Sequence, residues 1–171
     1  KTVIIPTIKE LWPKNHDVEF RKNNVGVEAF WEEALFGGSV EIMSNNQESA
    51  LFEGWKGHLV VYDEPPKRDI RVACARGLID TCGREIFAMT LLKEAWVDQE
   101  VINACDSSGV LDSSICNIHG DIHVNVGHGI TQAGVDQFAK ALTEEEKDAR
   151  LKGIPAYKQG VILKIDRQKH I

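Results

Sequence analysis

A chain of 171 residues with 43% hydrophobic and 27% charged side chains has the length and apolar content for a full core. With no long uncharged apolar stretch, internal repeat or low-complexity segment, it reads as one soluble globular domain. The net charge is −6 and the acid excess is spread evenly along the chain, which excludes a basic nucleic-acid arm. The amino terminus does not resemble a secretory signal, because Lys9, Glu10 and Lys14 soon follow the short apolar run from Lys1 to Pro6. An intracellular protein without a membrane partner is expected. Cys74, Cys82, Cys105 and Cys116 contain no CxxC pair, and buried free thiols are expected.

In chain order, Lys1 to Pro6 predicts a strand, and Thr7 opens a short helix that ends before Pro13. Residues 14 to 30 mix charges with weak periodicity. Gly37-Gly38 introduces Ser39 to Met43, whose alternation predicts a strand, and Asn45 or Asn46 caps a short helix through about Phe52. His58-Leu59-Val60-Val61-Tyr62-Asp63-Glu64-Pro65-Pro66 then stops an apolar run on two carboxylates and breaks it with two prolines. A buried central parallel strand is expected, delivering Asp63 and Glu64 to the edge where ligands of open α/β sheets collect. An acid pair at such a tip suits a nucleotidase, one carboxylate holding Mg²⁺ and the other orienting or deprotonating a water. A strand ending in a polar turn is the alternative.

Asp69 to Ile79 predicts a helix with Ile70, Ala73, Cys74, Gly77 and Leu78 on one face. Thr81-Cys82-Gly83 turns into a strand over Glu85 to Thr90. A strand, helix and strand connect as a right-handed parallel unit, so Thr90 is expected on the same sheet edge as Asp63 and Glu64. Lys93 to Ala104 predicts the next helix, Ser107-Ser108-Gly109 a break, and Ile115 to Val126 a last strand. Cys116, His119, His123 and His128 have spacing that invites zinc, but strand alternation keeps the first three off one face, and solvent-facing histidines are the preferred reading. Thr143-Glu144-Glu145-Glu146 is a capping box for a helix from Glu144 to Lys152, its charges a solvated face, and Gly153 stops it before Pro155. Gln159 to Asp166 reads as a further strand.

Five segments in this order resemble the large terminase subunit of tailed bacteriophages, a DNA-packaging motor. They are Phe52-Glu53-Gly54-Trp55; Leu59 to Pro66; Ala75-Arg76-Gly77-Leu78-Ile79-Asp80; Gly83 to Thr90; and Leu142 to Glu146 followed by Ala149-Arg150-Leu151-Lys152-Gly153. The likeness covers roughly residues 35 to 165. It implies an α/β fold with a mainly parallel sheet and flanking helices, P-loop NTPase-like and of the additional-strand, catalytic-glutamate class. Residues 1–155 would be the later part of the ATPase domain, and 156–171 a linker or first strand of a nuclease domain.

By the same resemblance Asp63 matches the acid that holds Mg²⁺, Glu64 the catalytic glutamate, and Thr90 the coupling motif that senses the γ-phosphate of ATP. The family often has Pro where this chain has Leu91. The partners implied are double-stranded DNA, a small terminase subunit, the capsid portal and further copies in a homo-oligomeric ring, in the cytoplasm of a bacterial host.

No G-x-x-x-x-G-K-[ST] phosphate loop occurs in the 171 residues, so the chain is expected to begin after it and to bind ATP poorly by itself. The nuclease carboxylates are also missing, and Asp166 does not supply them. Ring motors often receive an arginine from a neighbouring subunit, and Arg68, Arg71, Arg76 and Arg84 are the local candidates, with Arg76 and Arg84 in the family-like segments. Trp12, Trp31, Trp55 and Trp96 read as packing residues rather than base-stacking surfaces. Two other readings stay open: a helicase-like fragment of the same nucleotidase class, and a non-catalytic, prophage-derived assembly module.

Overall fold

The structure, a computed structural model, describes residues 4–14, 18–22, 28–32, 38–92, 94–104 and 109–155. The strand predicted over Gln159 to Asp166, and Cys105, lie outside the described residues. The chain divides into two units, Lys1–Gln47 and Glu48–Ile171.

The first unit opens with helix α1, Ile4–Leu11, where Ile4 to Pro6 were expected in a strand. Pro6 lies in the first turn, where a missing N–H costs no helical hydrogen bond, so the proline is compatible with either conformation. The helix stops before Pro13, as expected. Strands β1 (Val18–Lys22) and β2 (Glu28–Glu32) arise from the stretch that showed only weak periodicity. Each has five residues, too short a run for alternation to stand out against its charges. With β3, Ser39–Ile42, they form an antiparallel meander whose backbone register pairs position 20 with 30 and position 30 with 40. These three strands depart from the mainly parallel sheet that was expected.

Asn45 and Asn46 do not cap a helix. They lie in a turn where the Ser44 N–H donates to Gln47 Oε1 (3.0 Å) and the Asn46 N–H to Ser44 Oγ (3.3 Å). A single 3₁₀ turn, Ser49–Phe52, follows and buries Phe52.

The second unit contains β4 (Leu59–Asp63), α2 (Arg68–Arg76) and β5 (Arg84–Ala88). The two strands pair in parallel from Leu59 opposite Arg84 to Asp63 opposite Ala88, the expected strand, helix and strand unit. Helix α2 buries Ile70, Ala73 and Cys74, and Leu78 follows, the face read from the sequence. Burying Ile70 to 1% exposure stabilises the unit by roughly 1.5–3 kcal/mol.

The strand β4 is not buried on both faces, as had been expected. Tyr62 is covered at 4%, while Leu59, Val61 and Ile86 are 51%, 58% and 50% exposed on the opposite face. Their apolar character marks a face that could be covered, and among the described residues it is left open.

Beyond β5, Leu91, Val97 and Val101 form a small core, against which Phe87, Met89, Trp96 and Ile102 pack. The expected helix is present as α3, Ala95–Val97, widening into a π-turn over Asp98–Ile102 that the Asn103 N–H closes on Asp98 O at 2.8 Å.

The strand expected over Ile115 to Val126 is replaced by irregular chain and a 3₁₀ turn, Ile122–Asn125. Asp112 accepts from the Ser114 N–H (2.9 Å), and Asp121 caps the turn by accepting from the His123 N–H (2.9 Å). Such local side-chain acceptors compete with a sheet ladder for the backbone donors.

Helix α4, Gln132–Lys140, was not foreseen. Thr131 caps it by accepting from the Gly134 N–H, and Val135 is its buried residue. Helix α5, Glu144–Lys152, forms with the expected capping box between Thr143 and Glu146. It ends on Gly153 at φ +67°, and a Cβ there would lie 3.0 Å from Gly120 O.

Candidate active site

The parallel register brings the ends of β4 and β5 to one edge, where Glu64 and Thr90 meet and Asp63 is the residue before Glu64. Asp63 is exposed on the open face of the sheet, at the last paired position of β4. The Glu64 N–H still donates to Ala88 O at 2.8 Å, and the chain then turns sharply, with Glu64 at φ +73°. Positive φ is unusual for a residue with a Cβ and costs on the order of 1 kcal/mol. The carboxylate of this strained residue reaches across to the segment that follows β5, which had been expected to continue as strand to Thr90, and there its Oε2 accepts from the Thr90 backbone N–H at 3.0 Å. Glu64 is thus fastened at two points, by its main chain to Ala88 and by its side chain to Thr90.

Pro66, under 2% exposed, anchors the loop on the other side of the acid pair before α2 starts. Behind the edge, on the face that α2 covers, lies a polar network that sequence reasoning missed. Tyr62 Oη donates to Glu85 Oε1 (2.9 Å), and Arg71 of α2 donates to Glu85 Oε2 through Nη2 at 3.0 Å. The guanidinium of Arg71 also sits over the Trp96 ring, 5.8 Å from its centroid. The Tyr62 and Phe87 rings stack with centroids 4.6 Å apart.

Burial, then the neighbouring Cys74 and Glu85, pushes the Tyr62 hydroxyl far above its usual range, so it stays protonated and donates. Burial first of all also raises the Cys74 thiol, which makes it an unreactive packing group. The network could have been suspected only from Glu85, an acid at an inward position of an apolar strand.

The arginines separate. Arg71 belongs to the network. Arg68 donates through Nε to Glu100 Oε1 at 2.7 Å, an exposed tie between α2 and the π-turn. Arg76 ends α2 and pairs with Glu53 (2.9 Å). Arg84 begins β5, about 13 Å along the strand from the acid edge at 3.3 Å per residue. Arg76 is thus engaged by Glu53, and Arg84 stands at the end of the strand pair opposite the acid edge.

Among the described residues no three His, Cys, Asp or Glu side chains are grouped to hold a metal. His123 Nδ1 lies 2.7 Å from Asp121 Oδ1, His119 Nδ1 lies 3.4 Å from Gly153 O, and Cys116 and His128 are exposed. The thiols also differ from expectation: Cys74 is buried, but Cys82 and Cys116 are exposed. Trp55 packs against Gly57 and Gly77.

Magnesium in nucleotide sites usually takes one or two carboxylates, water and substrate phosphates rather than a full protein cage. The exposed Asp63 carboxylate fits that limited demand. No helix among the described residues is long and apolar enough to cross a membrane. Comparison with protein-family models, with curated proteins and with solved structures finds no match for this chain.

Proposed function

We propose that the edge formed by Asp63, Glu64 and Thr90 is half of an ATP-hydrolysing site, in a P-loop NTPase-like motor related to the large terminase subunit of tailed bacteriophages. The observation that carries the reading is the two-point attachment of Glu64, a strained acidic residue held by Ala88 O and the Thr90 N–H at the shared end of two parallel strands. Strain of this kind, kept by a surrounding hydrogen-bond frame, collects at functional sites. Asp63 would hold Mg²⁺, which when bound neutralises charge on the transferring phosphate. Glu64 orients a water and accepts its proton. Thr90, just beyond the end of the opposite strand, carries a hydroxyl suited to reporting the state of the γ-phosphate.

The phosphate cradle is not encoded in these 171 residues, so hydrolysis belongs to a protein that joins this chain to such a loop. Double-stranded DNA, a small terminase subunit, a capsid portal and a homo-oligomeric ring are the partners this reading brings, in a bacterial cytoplasm. Arg76 and Arg84 are the residues it offers to a neighbouring subunit's site.

The test is Glu64→Gln in a protein carrying both halves. Hydrolysis is expected to fall by about 10²-fold or more with nucleotide binding retained. Undiminished turnover would remove Glu64 from this role. The 171-residue chain alone is expected to give no tight Mg²⁺-dependent ATP titration, and a tight one would overturn the half-site reading.

A further inference from the structure

We infer that the backbone N–H of Thr90, rather than its hydroxyl, is the positioning group for the Glu64 carboxylate, so that the coupling residue and the general base are linked by one direct hydrogen bond. The inference rests on the acid edge being the hydrolytic half-site and assigns how its base is aimed. A general base needs a third group to hold its orientation. Here the Thr90 N–H donates to Glu64 Oε2 at 3.0 Å, which leaves Oε1 to face a water.

Two independent features make that donor fixed. Residue 91 is buried at 7% in the cluster with Val97 and Val101, so the main chain on the far side of Thr90 is pinned to the segment that follows β5. On the near side, Ala88 is held by the ladder and accepts from the Glu64 N–H at 2.8 Å. The donor therefore lies between two anchored points, and the positive φ of Glu64 accompanies the turn of its side chain toward it. A further consequence concerns position 91. Leucine there anchors Thr90 by burial, the job that a proline would do by restricting the backbone of the preceding residue.

A carboxylate aimed by a main-chain amide tolerates any side chain at position 90 that keeps the N–H. A shift of the segment after Leu91 would move the amide and re-aim the base, without altering either acidic residue.

The test is nuclear magnetic resonance on this 171-residue chain, reading amide hydrogen exchange at Thr90 and the side-chain rotamer of Glu64 through three-bond couplings. The Thr90 amide is expected to exchange about tenfold or more faster in Glu64→Ala than in the wild type, since a hydrogen bond to a charged group is lost, while the Ile86 and Phe87 amides stay unchanged. Glu64 is expected to hold one rotamer in the wild type and in Thr90→Val, and to average in Thr90→Pro, which lacks the N–H. Averaging in Thr90→Val equal to that in Thr90→Pro would assign the role to the hydroxyl and overturn the inference. Unchanged Thr90 exchange in Glu64→Ala would overturn it as well, and that arm decides if Thr90→Pro does not fold.

Added Mn²⁺ checks the underlying reading separately. Line broadening centred on Asp63 and lost in Asp63→Asn supports it. Undiminished turnover of Glu64→Gln in a protein carrying both halves, with Thr90 still protected in this chain, would leave the hydrogen bond standing and remove its catalytic meaning.

Discussion

At the scale of single residues, Glu64 and Asp121 make separable predictions. Glu64 sits at φ +73°, where a Cβ is penalised and its absence is not. Glu64→Gly and Glu64→Ala lose the same carboxylate, so their difference isolates the backbone term. The glycine variant is expected to be more stable by about 1 kcal/mol in urea denaturation, and equal stabilities would remove the strain argument. Asp121 is a case of pH dependence. The His123 backbone N–H, and then its ring, hold the Asp121 carboxyl below the usual range. A carboxyl lowered by folding contributes stability that is fully present above its ordinary value of about 4 and is lost as pH falls through the lowered one. The turn over Ile122–Asn125 is expected to loosen along that acid limb, and Asp121→Asn to abolish this pH dependence in the His123 amide resonance. An unchanged profile in Asp121→Asn would assign it to another group.

At the scale of elements, two close contacts set the layout of the second unit. Gly77 has an ordinary helical φ of −68°, so its small size matters only for space, and a Cβ there would come 2.4 Å from Trp55 Cε2. Gly77→Ala is expected to cost about 1–3 kcal/mol, and pairing it with Trp55→Leu to recover part of that loss. Purely additive losses would mean that the two residues do not meet. Leu91→Ala, in the cluster with Val97 and Val101, is expected to cost about 2–5 kcal/mol by calorimetry. A loss below 1 kcal/mol would mean that this cluster does not anchor the chain after Thr90.

Elements with complete local chemistry were legible before any coordinates. The Thr143 to Glu146 box fixed α5, the alternation of bulk along Ile70 to Leu78 fixed the buried face of α2, and the crossover rule placed Thr90 beside Glu64. What escaped depends on competition or distance. The Ile115 to Val126 stretch alternates, yet Asp121 captures the His123 donor within it and Asp112 the Ser114 donor just before it, and strands as short as β1 and β2 gain their stability from partners rather than from pattern. The bond between Glu64 and Thr90 spans 26 positions, so the sequence could place both residues at one edge but could not reveal the contact.

At the scale of the whole molecule, the β4 and β5 pair presents Leu59, Val61 and Ile86 on a face that is open among the described residues. Parallel sheets are ordinarily covered on both sides, and an apolar face left open favours association. Sedimentation of Val61→Lys combined with Ile86→Lys is expected to give less concentration-dependent self-association than the wild type. Identical behaviour would mean that this face does not mediate it. The parallel register has a temporal consequence too. Every residue of β4 meets a partner about 25 positions later, whereas Lys22 and Glu28 of the first unit pair across a short connection. Closing the longer loop costs more entropy before any pairing rewards it, and such non-local contacts form late. The meander can assemble early and locally, but the acid edge exists only once α2 has crossed over and β5 has arrived, so its geometry marks the completion of folding in the second unit.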